Sequence, residues 1–257
     1  MNQNWCLIVA GLLLGGAVGD ALTQPARAAS ADKSPAATLD TDPHLVGWWK
    51  FEETSGNTVA DSSGKGHTGT LGASLVAETN RVAGRVGKAI EFDGKDGIRV
   101  AGFKGVTGTR ARTVAVWMKT AVVGGDLVTW GQNEPGKMFH FGYVRGHVGV
   151  EPRGGYYYMK AGNHDGSWHH VAVTVQEAAP PNLHDHVKLY RDGELAEIDD
   201  IGLLDLWPLD TGDQLDLSIG SRFKGSLDEV RLYDRALSDD EIQALFKLEI
   251  NRPVTQP

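Results

Sequence analysis

The stretch Gly225-Ser-Leu-Asp-Glu-Val-Arg-Leu-Tyr-Asp-Arg-Ala-Leu237 alternates polar and apolar residues, which is typical of a β-strand. Successive side chains of a strand point to opposite faces, so the stretch predicts two sets: Leu227, Glu229, Arg231 and Tyr233, and Ser226, Asp228, Val230 and Leu232. Asp228 then lies beside the aliphatic residues expected in the core. A carboxylate there needs a cation or several hydrogen-bond donors, because burying an unpaired charge is prohibitive. Asp228 is therefore the first candidate site residue.

A helix is predicted directly after this strand. Ser238 and Glu241 have the spacing of a capping box, in which each side chain accepts a hydrogen bond from the other residue's backbone N–H. The helix is expected to reach about Leu248, and its core-facing stripe consists of Ile242, Leu245 and Phe246.

The rest of the chain, back to Leu45, consists of short apolar runs separated by glycine-rich turns. Asp192-Gly193 is a favoured two-residue hairpin turn and places Arg191 opposite Glu194. Roughly a dozen short strands with one helix predict an all-β fold. We expect a two-sheet antiparallel sandwich of the jelly-roll, concanavalin A-like kind, with a short C-terminal helix.

The charge balance limits the classes of partner. The 257 residues include 25 basic and 33 acidic ones, which gives a formal net charge of −8. A field of that sign argues against nucleic acid or an anionic membrane surface as the main partner. It is compatible with cation binding and with neutral sugars.

The first 28 residues have the features of a signal peptide. The apolar run Leu7–Val18 is too short to span a bilayer and is followed by the small-residue site Ala26-Arg27-Ala28. We therefore predict an exported protein, secreted, periplasmic or at the cell surface, with no membrane span. Cys6 is the only cysteine and lies in this segment, so no disulfide framework is expected.

Composition divides the remaining chain into three parts. Residues 29–43 are rich in Ala, Ser, Thr, Asp and Pro without an apolar period, which predicts a disordered lead. Residues 44–250 form one predicted domain, and residues 251–257 form a tail.

Four segments together resemble a known family; they are Trp49–Glu53 with Asp61–Gly64, Trp168–Val173, Leu189–Gly193, and Gly225–Tyr233. In this order and spacing they resemble the laminin-G-like jelly-roll domains of the concanavalin A-like lectin/glucanase group. The resemblance covers nearly all of residues 45–248. It implies the sandwich fold but leaves the function open, because such domains serve as carbohydrate-binding modules, adhesion modules and appendages of enzymes.

A calcium site is the first functional expectation. Domains that resemble this one often hold a structural calcium ion between the first and the fourth of these segments, and the acidic residues Asp61 and Asp228 are present there. Calcium takes six to eight oxygen ligands, which Asp61, the carbonyls of Gly64 and Gly66, and Asp228 could in part supply. The alternative is that Asp61 caps its own turn and Asp228 accepts backbone N–H groups.

A glycan-binding surface is the second expectation. Sugar sites combine an aromatic platform with amide or carboxylate groups that bind hydroxyls. The candidate residues are His140, Tyr156, Tyr158, Asn163 and Asp165. The alternative is that the tyrosines pair across strands, while Phe139, Phe141 and Tyr143 fill the core.

A glycoside hydrolase or lyase of the same fold is the rival function. Glu197-Ile198-Asp199 is similar to the acidic strand of laminarinase-type hydrolases, but the second glutamate of that strand is missing. A purely structural envelope protein is a further alternative. We predict an exported, non-catalytic module that binds glycans or extracellular polysaccharide, or acts in adhesion, on one sheet face and its loops.

Overall fold

A computed structural model describes residues 38–202 and 208–252; for residues 200–202 it describes the backbone. The predicted signal peptide, residues 29–37 of the lead and residues 253–257 of the tail lie outside this part. The strands are β1 Leu45–Trp49, β2 Thr58–Val59, β3 Gly69–Leu71, β4 Arg81–Ala83, β5 Lys88–Asp93, β6 Ile98–Val100, β7 Arg112–Lys119, β8 Asp126–Gly131, β9 Met138–Val144, β10 His147–Val150, β11 Tyr156–Met159, β12 Trp168–Val175, β13 Val187–Arg191, β14 Glu194–Leu195, β15 Ile198–Gly202, β16 Leu215–Ile219 and β17 Lys224–Tyr233. The helices are α1 Ala77–Asn80, α2 Leu183–His186 and α3 Asp239–Ile250. No helix among them is long and apolar enough to cross a membrane.

The strands form two antiparallel sheets, which confirms the predicted sandwich. The eight-stranded sheet has the order β14-β13-β12-β7-β17-β5-β4, with β1 also paired to β17. The nine-stranded sheet has the order β15-β11-β10-β9-β8-β16-β6-β3-β2. Because alternate side chains of each strand point to the other sheet, the main core lies between the two sheets. Phe139, Phe141 and Tyr143 of β9 lie in this core, as the alternation of that strand predicts.

Strand β17 departs from strict alternation. Asp228 pairs with Trp117 of β7, but the next partner pair is Arg231 with Ala115, so two residues of β17 face one residue of β7. This is a β-bulge, and Glu229 within it has a left-handed φ of 49°. One extra residue changes the face of every side chain that follows it.

The bulge overturns the predicted faces of β17. Val230 and Leu232 lie in the core between the sheets together with Leu227, which precedes the bulge. Asp228 and Arg231 lie on the outer face of the eight-stranded sheet. The prediction that Asp228 shares a face with Val230 and Leu232 is therefore wrong, because alternation counted across a bulge assigns the wrong side.

Helix α3 covers this outer face. Ser238 and Glu241 form the predicted capping box, and Ile242 and Leu245 are buried against the sheet. Leu39 is also buried in the apolar cluster between α3 and this sheet. At the other end Arg252 forms an ion pair with Asp40.

Candidate functional site

Two glycines open a groove across the outer face of the nine-stranded sheet. Asp126 of β8 pairs with Gly142 of β9, Gly142 pairs with Gly149 of β10, and Gly149 pairs with Tyr158 of β11. The two middle positions carry no side chain, so the backbone is the floor between Asp126 and Tyr158. Three steps between neighbouring strands separate these ends by about 14 Å.

A cleft of about 490 Å³ occupies the Asp126 end of this groove, and its polar lining includes Asp126, Thr129, His140, Glu151, Arg153 and Arg222. His140 lies at its centre, with Nε2 at 3.0 Å from Asp126 Oδ1 and Nδ1 at 3.9 Å from Glu151 Oε2. Carboxylate, imidazole and guanidinium groups thus converge on one open concavity, and such groups bind the hydroxyls and charged substituents of a ligand.

Asp126 is held in its ionised form. Burial by itself would raise the pKa of this carboxyl, but hydrogen bonds from His140 and Arg222 outweigh that effect and lower its pKa. Arg222 Nη2 donates to Asp126 Oδ2 at 2.9 Å. Asp126 therefore offers hydrogen-bond acceptors at neutral pH and no acidic proton.

A row of rings continues the groove beyond the cleft. The Tyr156 and Tyr158 rings stack with 5.8 Å between their centroids, and His147 stacks on Tyr158 at 5.1 Å. The Arg145 guanidinium covers the Tyr156 ring at 4.3 Å. Three of the five predicted ligand-binding residues, His140, Tyr156 and Tyr158, thus share one sheet face, and the two tyrosines also stack on each other as the alternative expected.

Asn163 and Asp165 do not join this face. Asn163 is 1% exposed, and its side chain accepts a hydrogen bond from Arg191 Nε. Asp165 contacts His169 Nε2 at 3.1 Å and accepts from the backbone of Ser167. Both residues stabilise the loop that leads into β12, and proximity in sequence to the tyrosines does not bring them into the cleft.

In the predicted calcium loop, backbone N–H groups donate hydrogen bonds to the Asp61 carboxylate. Asp61 Oδ1 accepts from the backbone N–H groups of Trp48 and Ser63, and Oδ2 accepts from that of His67, all within 3.0 Å. Gly64 and Gly66 have left-handed φ values of 78° and 83°, which lets the loop curl around Asp61. These hydrogen bonds outweigh the effect of burial and lower the pKa of Asp61.

Asp228 lies in a different environment. It is fully buried, its Oδ2 accepts from Val86 N at 2.8 Å, and its Oδ1 has no partner among the described residues. Burial, with the nearby charges of Glu229 and Glu249, raises its pKa well above the usual range. In the described part of the chain no three His, Cys, Asp or Glu side chains are placed to hold a metal ion. The calcium site expected at Asp61, Gly64, Gly66 and Asp228 stays a prediction.

A buried charge network surrounds Asp228 beneath α3. The Arg231 guanidinium donates to Glu249 Oε1 at 2.8 Å, to Glu229 Oε2 at 3.2 Å and to Asp40 Oδ1 at 2.7 Å. It also lies 3.8 Å from the centre of the Trp48 ring. This network links β17, α3 and the residues before β1, so its role is structural.

Glu197 and Asp199 form an exposed acidic edge. Glu197 Oε1 accepts from Lys160 Nζ at 2.7 Å, and its side chain is 72% exposed. This hydrogen bond raises the pKa of Lys160. The arrangement is the ordinary solvated edge of a sheet.

Five polar cleft residues escape prediction from the sequence: Asp126, Thr129, Glu151, Arg153 and Arg222. They come from two positions of β8, the end of β10 and two loops, and only the pairing of the strands in this sheet brings them together. The available signal is weak. Arg153 precedes Gly154-Gly155, and Arg145 precedes Gly146, so both are arginines at turns.

The comparisons with known proteins come from sequence and from structure. A family model described as the concanavalin A-like lectin/glucanases superfamily matches residues 92–243. Comparison with curated proteins finds no match.

Among solved structures the chain is similar to domain 4 of an extracellular arabinanase from Geobacillus stearothermophilus, in complex with arabinotriose. The identity is 21%, the TM-score is 0.58, and the match covers 78% of this chain and 97% of the other. It is also similar to the binding domain of Paraclostridial mosquitocidal protein 1, at 17% identity and a TM-score of 0.52, over 81% and 53% of the two chains. The ligand-binding domain of botulinum neurotoxin serotype D, in complex with N-acetylneuraminic acid, matches at 13% identity and a TM-score of 0.51, over 83% and 52%. These likenesses show the shared jelly-roll fold.

Proposed function

This chain belongs to the concanavalin A-like lectin/glucanase superfamily, and from that premise we propose that it is an exported, non-catalytic module that binds glycans. The binding surface is the outer face of the nine-stranded sheet, from the cleft at His140 to the rings of Tyr156 and Tyr158. The proposal of export rests on the sequence of residues 1–28.

The observation that carries the proposal is the groove across β8, β9, β10 and β11. It combines a backbone floor at Gly142 and Gly149, the ionised carboxylate of Asp126 at one end and stacked rings at the other. A sugar ring requires both kinds of contact, because it has apolar C–H faces and polar hydroxyls. The arabinanase domain supports the proposal, since nearly all of that domain matches this chain and its structure is a complex with arabinotriose.

The charge states in the cleft favour binding over hydrolysis. A glycosidase needs one carboxylic acid with a raised pKa and a second carboxylate across the scissile bond. Asp126 has a lowered pKa, because His140 and Arg222 hydrogen-bond to it, so it cannot serve as the acid. The imidazole of His140 also lies between Asp126 and Glu151, where the bond to be cleaved would have to pass.

Replacing Glu151 with alanine is expected to weaken glycan binding about tenfold or more. A hydrogen bond to a charged group contributes roughly 1.5–3 kcal/mol, and 1.4 kcal/mol corresponds to a factor of ten in Kd. The measurement is a glycan and polysaccharide array, followed by calorimetric titration of the best ligand. Glu194→Ala, an exposed glutamate of the other sheet, is the matched control and should leave Kd unchanged.

Two outcomes contradict the proposal. The first is an array that stays silent for the folded wild-type protein across neutral and acidic glycans. The second is release of reducing ends or unsaturated products from a polysaccharide, abolished by Glu151→Gln, which would establish an enzyme in place of a binding module.

We propose the module without a calcium ion at the predicted ligands, because three backbone N–H groups already use the Asp61 carboxylate. The melting temperature is therefore expected to stay the same in excess chelator and in millimolar calcium. Differential scanning calorimetry of the full chain checks this expectation. A fall on chelation, reversed by calcium but not by magnesium, would restore the calcium site expected from the sequence.

A further inference from the structure

Three arginines of the described chain have a left-handed backbone. The non-glycine residues with positive φ are Phe51, Arg145, Arg153, Asp192, Arg222 and Glu229. Half of these are arginines, with φ values of 51°, 63° and 57° for Arg145, Arg153 and Arg222. This conformation is unfavourable for a residue with a Cβ atom, and glycine, asparagine or aspartate normally occupies such turn positions.

All three arginines border the groove of the nine-stranded sheet. Arg153 and Arg222 line the cleft around His140, and Arg145 covers the Tyr156 ring at the other end. They come from three separate turns, so a shared local sequence does not explain their common conformation. Strained residues of this kind cluster at functional sites, where the surrounding structure holds them in place.

Their charges are only partly neutralised. Arg222 donates to Asp126 and is 74% exposed beyond that contact. Arg153 has no hydrogen bond or ion pair within the residues that the structure describes, and Arg145 contacts only a ring there. The chain as a whole carries a net charge of −8, so these exposed guanidinium groups form a local exception to its acidic character.

We propose that Arg145, Arg153 and Arg222 recognise an anionic group of the ligand, so that the module binds an acidic polysaccharide. The proposal rests on the proposed glycan-binding function and specifies the class of glycan. A guanidinium binds a carboxylate or sulfate through two parallel N–H groups, which gives geometric selectivity as well as attraction.

The probes are polygalacturonate, which carries carboxylates, dextran sulfate, which carries sulfates, and dextran and arabinan, which are neutral. We expect one of the two acidic polymers to bind at least tenfold more tightly than both neutral ones, with affinity that falls as salt is raised. Which acidic polymer binds identifies the anionic group.

Arg153→Asn tests the role of the guanidinium without adding strain, because asparagine tolerates the left-handed backbone. We expect the melting temperature to stay the same or rise, and affinity for the acidic polymer to fall at least tenfold. Arg85→Asn makes the same change on a loop of the other sheet and should leave this affinity unchanged.

The inference on acidic ligands is overturned, while the proposed function stands, if neutral and acidic polymers bind equally well. It is also overturned if Arg153→Asn and Arg85→Asn weaken acidic-polymer binding to the same extent. If none of the four polymers binds the folded protein, the inference fails, and the array described for Glu151→Ala decides separately whether other glycans bind.

Discussion

Replacing Arg231 with leucine is expected to lower the free energy of unfolding by about 3–5 kcal/mol, the usual range when one partner of a buried ion pair is removed. Arg231 is fully buried and donates to Glu249, Glu229 and Asp40. Leucine would leave these carboxylates in the interior without their cation. Urea denaturation at pH 7 measures the change.

The pH dependence of the loss of stability in Arg231→Leu shows whether the loss comes from the removed charge or from the changed packing. Burial already raises the pKa of Glu229 and Glu249 in the wild type, and without Arg231 these pKa values rise further. A carboxyl whose folded pKa is raised favours folding at low pH, and this advantage is lost as pH rises through the folded pKa. The deficit of Arg231→Leu should therefore be smaller at pH 5 than at pH 8.

Arg99→Leu is the matched control for this variant. Arg99 pairs with Asp216 through a side chain that is 73% exposed, and such surface pairs contribute less than about 1 kcal/mol. Equal losses for Arg99→Leu and Arg231→Leu would contradict the assignment of a buried charge network. So would a loss for Arg231→Leu that does not change between pH 5 and pH 8.

Replacing Asp228 with asparagine is expected to make the protein more stable at neutral and alkaline pH, and to flatten the dependence of its stability on pH. Burial, with the charges of Glu229 and Glu249, raises the pKa of Asp228, whereas the unfolded chain ionises near the ordinary value. The folded wild type therefore holds a proton that the unfolded chain releases. Each such proton lowers stability by about 1.4 kcal/mol per pH unit, from the unfolded pKa up to the folded pKa.

Asparagine has the shape of the protonated acid and can still accept from Val86 N through its carbonyl oxygen. Chemical denaturation from pH 5 to pH 8 measures the slope. Asp216→Asn is the control, because the pKa of Asp216 is lowered and not raised, so the effect on stability has the opposite sign. Lys104 and Arg99 lower the pKa of Asp216 to about 2, so this carboxylate contributes stability above the unfolded pKa that is lost as pH falls toward 2.

A lower melting temperature for Asp228→Asn than for the wild type at neutral pH would contradict the claim that Asp228 is buried in its protonated form. If the same variant also loses a sensitivity to chelator that the wild type shows, Asp228 is a calcium ligand. The experiment therefore distinguishes the two roles that a buried aspartate beside an apolar core can have.

Local sequence chemistry determined the class of fold and several of its elements. The Asp192-Gly193 turn places Arg191 opposite Glu194, and Ser238 with Glu241 caps α3, as expected from spacing alone. The alternation in β9 correctly divides Phe141 in the core from His140 on the outer face. These features depend on neighbours a few residues apart, so the sequence by itself contains the information.

The tertiary structure alone decided the side of Asp228 and the composition of the cleft. The bulge at Glu229 lies where β17 changes its partner on one edge from β5 to β1 while it stays paired with β7 on the other, which no local pattern records. The row from Asp126 through Gly142 and Gly149 to Tyr158 depends on the register of four strands. Register is set by contacts between distant segments, and a shift of one residue moves a side chain to the opposite face. For that reason the sequence determined the sandwich, whereas only the folded chain determined which polar groups meet in its groove.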